Sequence, residues 1–157
     1  MVRYITGWVI IFEGGFLLFP LITGLCYGEY GMCRIYALVI GICLAAGLLI
    51  KGIRRRELGE LYIREGFACV SLAWIALSLF GALPFFISGE IPEYIDAVFE
   101  VTSGLTTTGA SIMPDVESLS QASMFWRCFT HWIGGMGVFV FIMAILPMAG
   151  ARNINLM

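Results

Sequence analysis

Apolar residues in this chain come in long blocks separated by short polar punctuation, with no alternation of the kind a half-buried strand shows. A helix needs about 20 mostly apolar residues to cross the hydrocarbon of a bilayer. Four candidate crossings are read on that basis, roughly Tyr4 to Cys26, Ile35 to Ile50, Gly66 to Ile87 and Ala122 to Leu146. The second is the shortest and needs a turn borrowed at either end. The first contains Glu13 and is followed by no A-x-A-like site, so it reads as a retained span and not as a cleaved signal peptide.

Between the third and fourth blocks the rhythm changes. Gly89-Glu90-Ile91-Pro92-Glu93 is turn and helix-start chemistry, with Pro92 suited to a first turn and Glu93 and Asp96 to the positive end of a helix. Ile95, Val98 and Phe99 then fall on one face at helical spacing, predicting a helix of about 12 residues, too short to cross. It runs into Ser103-Gly104-Leu105-Thr106-Thr107-Thr108-Gly109-Ala110-Ser111, where β-branched threonines beside glycine end a helix and favour extended backbone. A short helix and a polar extended stretch between two crossings make a re-entrant hairpin. Non-helical backbone at membrane depth survives only where protein buries it or water lines it, and the second condition points to a pore. The predicted fold class is all-α integral membrane: four transmembrane helices, with a re-entrant pore helix and an extended filter loop between the third and fourth.

Composition agrees. Of the 157 residues, 60% are apolar and 13% charged, with a mean hydropathy of +0.93. Soluble domains run at roughly 45–50% apolar and about 25% charged. A soluble chain of this length buries only about 70% of its surface, too little to hide so much apolar area. Disorder, a basic nucleic-acid arm and a soluble cytoplasmic enzyme are excluded, and a net charge of −2 implies no polyanionic partner. Lys51, Arg54, Arg55, Arg56 and Arg64 gather between the second and third crossings and mark that loop as cytoplasmic. Arg3 and Arg152 flank the chain ends, so both termini are expected inside. The five cysteines form no C-x-x-C pair; Cys26 and Cys33 are close enough in sequence to pair, though nothing else suggests a disulfide scaffold.

Candidate chemistry centres on the threonine-glycine stretch. A potassium ion entering a membrane exchanges its water for other oxygens, which rings of backbone carbonyls supply in T-V-G-Y-G loops. Thr107 and Thr108 offer carbonyls in the same opening pattern, and Gly109 permits the dihedrals that turn carbonyls inward. Ala110 and Ser111 stand where the fuller motif has tyrosine and a second glycine, so fewer rigid sites are expected.

Five blocks occur in order: Gly59-Glu60-Leu61, Arg64-Glu65-Gly66-Phe67, Gly81-Ala82-Leu83-Pro84-Phe85, Ser103-Gly104-Leu105-Thr106-Thr107-Thr108-Gly109-Ala110 and Trp132-Ile133-Gly134-Gly135-Met136-Gly137. Together they resemble the Trk/Ktr/HKT superfamily of potassium transporters, and within it the bacterial TrkH type. The resemblance implies four helix–pore-loop–helix repeats in one polypeptide, preceded by two extra helices. Residues 1–58 would be the extra pair, 59–150 the first repeat and 151–157 a truncated cytoplasmic end. It implies potassium uptake across the bacterial plasma membrane, no enzyme activity, and no cofactor besides the transported potassium ion. Thr107, Thr108 and Gly109 would line the filter, Thr106 would contribute at its inner end, and the glycine would favour potassium over sodium. The implied partners are a second copy of the protein and a cytosolic TrkA-type nucleotide-binding regulatory subunit. One hairpin supplies one quarter of a carbonyl ring, so the chain is expected to be the N-terminal piece of a longer protein. Four assembled copies and a non-conducting scaffold are the alternatives.

Other residues carry weaker signals. Glu90, Glu93, Asp96 and Glu100 lie on the predicted outer side, either concentrating cations or serving helix start and solvation. Gly134, Gly135 and Gly137 permit close helix approach near the pore loop. His131, Arg127 and Glu13 are ionisable groups within crossings, functional candidates or local hydrogen-bonders. Trp8, Trp74, Trp126 and Trp132 include interface anchors. Ser103 with His131 would be needed for an intramembrane serine protease, a reading that leaves the threonine run unexplained.

Overall fold

The computed structural model describes residues 2–52 and 63–150, and every regular element among them is an α-helix. The helices are α1 (Val2–Phe16), α2 (Leu18–Tyr27), α3 (Tyr30–Gly52), α4 (Ile63–Gly81), α5 (Leu83–Ser88), α6 (Tyr94–Leu105) and α7 (Gln121–Gly150). The basic run Arg54 to Arg56, the Gly59-Glu60-Leu61 block and residues 151–157 lie outside the described residues.

Two of the boundaries are proline kinks within a single span. Proline has no N–H to donate and its ring crowds the carbonyl four residues back. Pro20 therefore disturbs the ladder at Phe16, and Pro84 at Phe80, which is where α1 gives way to α2 and α4 to α5. The chain does not turn away at either place. Leu17 and Ala82 keep right-handed helical dihedrals, Leu17 N–H donates to Glu13 O at 3.0 Å and Phe86 N–H to Ala82 O at 3.2 Å. Among the described residues, three helical stretches are long and apolar enough to cross a membrane: Arg3–Tyr27, Tyr30–Lys51 and Gly66–Ser88. The chain is a membrane protein. The second expected crossing is lengthened mainly at its start, where the helix takes in Tyr30 to Arg34.

The turn between α2 and α3 is set by Gly28 at φ 75°, beyond which Glu29 N–H reaches back to Gly24 O at 2.8 Å. The left-handed position falls to the residue that adopts it without steric cost. After it α3 folds back along α1 and α2. α1 packs on α3 and α4, α2 on α3 and α7, and α6 sits between α4 and α7. The α1–α3 crossing is close: a Cβ on Gly7 would lie 2.9 Å from Gly47 O, and one on Gly47 would lie 2.8 Å from Gly7 O. Small residues at such crossings let backbones touch where lipid gives no hydrophobic push between helices.

The core where these helices meet holds Ile10, Leu17, Tyr36, Val39, Phe85, Val101 and Trp126, all buried. Outward faces are apolar as well, with Phe12 61% and Leu49 68% exposed, which no water-facing surface of this size would tolerate. One finding differs from the sequence expectations: Trp126 is not an interface anchor but a core residue, its Nε1–H donating to Gly81 O at 2.9 Å beside the α4–α5 break. Cys26 and Cys33 are separate free thiols, as the lack of any disulfide scaffold implied, with Cys33 buried and its Sγ 3.7 Å from Leu21 O.

Candidate functional site: the loop after α6

α6 is 12 residues long, begins after Glu93 in extended geometry, and carries Asp96 in its first turn. Its buried positions are Ala97, Glu100, Val101, Ser103, Gly104 and Leu105. The Ile95 and Phe99 side that periodicity marks as apolar faces outward, at 78% and 47% exposure. The face packed within this chain has small residues, Ser103 and Gly104, where α6 comes closest to α7. A Cβ on Gly104 would collide with the Thr130 hydroxyl, and one on Gly134 with the carbonyl of Leu105. Gly134 thus receives the end of α6 directly. A Cβ on Gly137 would lie 3.5 Å from the Trp74 ring, and one on Gly135 would enter open space.

How α6 ends is the central feature. Thr107 N–H donates to Gly104 O and Thr108 N–H to Ser103 O, both at 2.9 Å, while Thr106 N–H donates to Thr102 O at 2.9 Å. This crossed pair is a Schellman motif, whose left-handed residue is ordinarily glycine. Here it is Thr107, at φ 56°. A β-branched residue in that region is a genuine outlier, and such strain, of order 1–3 kcal/mol, collects at functional sites. Gly109 follows at φ 76°, so the backbone reverses twice within three residues.

The hydrogen bonding of this loop is lopsided. The N–H groups of Thr106, Thr107 and Thr108 all turn back into α6. Among the described residues, the carbonyls of Thr106, Thr107, Thr108 and Gly109 accept no hydrogen bond, and all four residues are exposed. Ser103 Oγ–H donates to Ala110 O at 2.6 Å, and the Thr106 and Thr108 hydroxyls lie 2.8 Å apart. From Thr106 to Thr108 the arrangement presents acceptor oxygens and turns the backbone donors inward.

The departing arm of the loop is held by Glu100. This carboxylate, 2% exposed, accepts from Ser111 Oγ at 3.1 and 3.0 Å, from Ile112 N–H at 3.0 Å and from Arg127 Nε at 2.6 Å. Glu100 is therefore neither a surface charge nor helix-start chemistry; it is the buried clamp joining α6, the loop and α7. Glu90 accepts from Ser120 N–H at 2.8 Å, just before α7. Glu93 is exposed and Asp96 partly so. His131 Nδ1 lies 3.0 Å from Arg127 O, which makes that nitrogen the protonated one, and Thr130 Oγ–H donates to the same carbonyl at 2.7 Å. Ser103 and His131 each have another partner and no hydrogen bond to one another among the described residues, so these two do not form a nucleophile–base pair.

Sequence reasoning reached the loop but missed three supports. Glu100 stood on the 3–4 spaced row Ala97, Glu100, Val101, Gly104, and a charge on a row of small residues is a readable sign of a buried partner. Glu29, whose carboxylate accepts from Gln121 N–H at 2.9 Å and Ala122 N–H at 3.1 Å, caps α7 from the α2–α3 turn. Ser103, read only as a remote nucleophile, is the pin on Ala110.

A short helix that delivers an exposed threonine-glycine loop beside a long helix, in a chain of membrane-crossing helices, defines an integral membrane protein. The family description "Cation transport protein", that of TrkH, matches residues 33–157, and the chain belongs to the TrkH family. The Trk system potassium uptake protein TrkH of Salmonella typhimurium is 41% identical over 154 residues, covering 97% of this chain and 32% of that protein. The Trk system potassium uptake protein TrkG of Escherichia coli is 33% identical over 158 residues, covering 99% and 32%. The crystal structure of the potassium transporter TrkH from Vibrio parahaemolyticus superposes with a TM-score of 0.83 at 35% identity, covering 92% of this chain and 32% of that one. The chain thus spans about a third of the length of the relatives it matches.

Proposed function

We propose that this chain supplies one wall of a potassium filter in an uptake protein of the bacterial plasma membrane. Thr107, Thr108 and Gly109 present their carbonyls to the ion, with Thr106 at the inner end. The observation that carries the reading is that, among the described residues, four successive carbonyls from Thr106 to Gly109 accept no hydrogen bond while the N–H groups of Thr106, Thr107 and Thr108 turn back into α6. A desolvated alkali cation needs oxygens and is repelled by N–H dipoles, so this polarity suits potassium and not an anion. In this reading residues 59–150 form one helix–pore-loop–helix repeat, with α6 re-entrant and α7 the fourth crossing. At 30 residues α7 is about 45 Å long, ample for a bilayer. Both termini lie on the cytoplasmic side, by the basic residues near Lys51 and Arg3.

One wall cannot surround an ion, so the remaining three come from further repeats of the full-length protein. The ion is cargo, and no covalent chemistry is involved. A homodimer served by a TrkA-type cytosolic regulatory subunit completes the assembly that the resemblance implies. The test is growth rescue at low potassium by the full-length protein in an uptake-deficient bacterium. Gly109→Val should abolish rescue while leaving membrane expression intact, because valine is excluded from φ 76°. Unchanged rescue and an unchanged preference for potassium over sodium would remove Gly109 from the filter.

A further inference from the structure

Glu13 sits in the first membrane span, 1% exposed, and its Oε2 is a buried oxygen with no hydrogen-bond partner. It is not a stray group at a lipid face. A Cβ on Gly81 would lie 3.0 Å from Glu13 Oε1, 3.1 Å from Val101 Cγ1 and 3.5 Å from Trp126 Cζ2. The carboxyl therefore touches the break between α4 and α5 at the point where α6 and α7 also converge, directly behind the helix that carries the loop.

The charges around it give no counterion. Among the described residues Glu13 takes part in no salt bridge, and Arg127, next to Trp126 on α7, is engaged with Glu100 at 2.6 Å. Lys51 lies over the Trp8 ring at 3.9 Å. Cys43 of α3 packs against the neighbouring Gly14, and neither it nor Tyr94 of α6 brings a positive charge. Tyr94 donates its hydroxyl hydrogen to Leu79 O at 2.9 Å and has none left for the carboxyl. From α4–α5 comes only the Gly81 backbone, and from α7 an indole whose N–H is given to Gly81 O. An ionised carboxylate sealed in such surroundings would be severely destabilising, whereas a neutral acid buries only uncharged polar atoms there, at far smaller cost.

We propose that Glu13 is a proton-binding site, carrying a proton while α1, the α4–α5 break, α6 and α7 are packed together. The ligand is a hydrogen ion exchanged with water: the acid O–H bond breaks on release, leaving a carboxylate that the packed site cannot hold. Bound proton and tight packing behind α6 are thereby the same state.

The experiment uses the purified full-length protein. Infrared spectroscopy at neutral pH should show the C=O stretch of a protonated carboxylic acid that is lost in Glu13→Gln, or in Glu13→Leu should the amide variant fail to fold. In parallel, the thermal midpoint of the native protein should fall more steeply than that of the variant as the pH is raised into the alkaline range. Identical spectra, or pH curves that run parallel, would overturn the proposal. The band reports on Glu13 whether or not the protein moves potassium, so a failure here is distinguishable from a failure of the filter.

Discussion

Thr107 occupies the left-handed position that usually goes to glycine. The two crossed hydrogen bonds to Ser103 and Gly104 would form equally well with glycine there. A Cβ in this conformation costs roughly 1–2 kcal/mol. Thr107→Gly should therefore raise the thermal stability of the full-length protein by about 1 kcal/mol, while loosening the loop and weakening potassium selectivity. Thermal unfolding and sodium-competition flux would check the two halves. Glu100 and Arg127 form the complementary case of buried charge. Removing Arg127 alone, as Arg127→Met, leaves a carboxylate 2% exposed without its cation and should cost roughly 3–5 kcal/mol. Replacing both residues by apolar ones should recover part of that loss but not transport, since Ser111 and Ile112 would still lack their acceptor. A double-mutant cycle read by thermal unfolding and flux separates the two effects.

At the scale of elements, what the chain advertises is what depends on neighbours in sequence. Apolar blocks made the spans legible, and Pro92, Asp96 and the Thr-Gly run delimited α6 to within a residue or two, because span length, helix start and helix stop are local properties. Contacts made at long range were not legible. The Glu100–Arg127 pair joins residues 27 apart, and Glu29 meets Gln121 across 92 positions. Which face of α6 would meet α7 was not legible either: periodicity marks Ile95 and Phe99, but α7 is approached closely at Gly104, and membrane helices need no apolar face to associate. Two predictions belong here. Gly134→Ala drives a methyl group into the Leu105 carbonyl, displacing the end of α6, and should reduce potassium flux far more than Gly135→Ala, which enters open space. Glu29→Ala removes the acceptor for two N–H groups at the start of α7 and should cost about 1 kcal/mol in thermal unfolding, with the filter intact.

For the whole molecule, the first two spans are part of the framework and not an appendage. α1 packs on α4, α2 on α7, and Tyr36 of α3 lies 3.3 Å from Ser123 of α7 through its hydroxyl. The loop after α6 is thus backed by α7 and, through α4 and α7, by the opening pair, while its carbonyls from Thr106 to Gly109 accept no hydrogen bond among the described residues. In the proposed function further repeats complete the ring there. The most direct measurement is anomalous diffraction from crystals of the full-length protein grown with rubidium or thallium in place of potassium. An ion peak against the carbonyls of Thr107, Thr108 and Gly109 is the predicted result. Density for the ion elsewhere in the pore, with these carbonyls turned away from it, would contradict it.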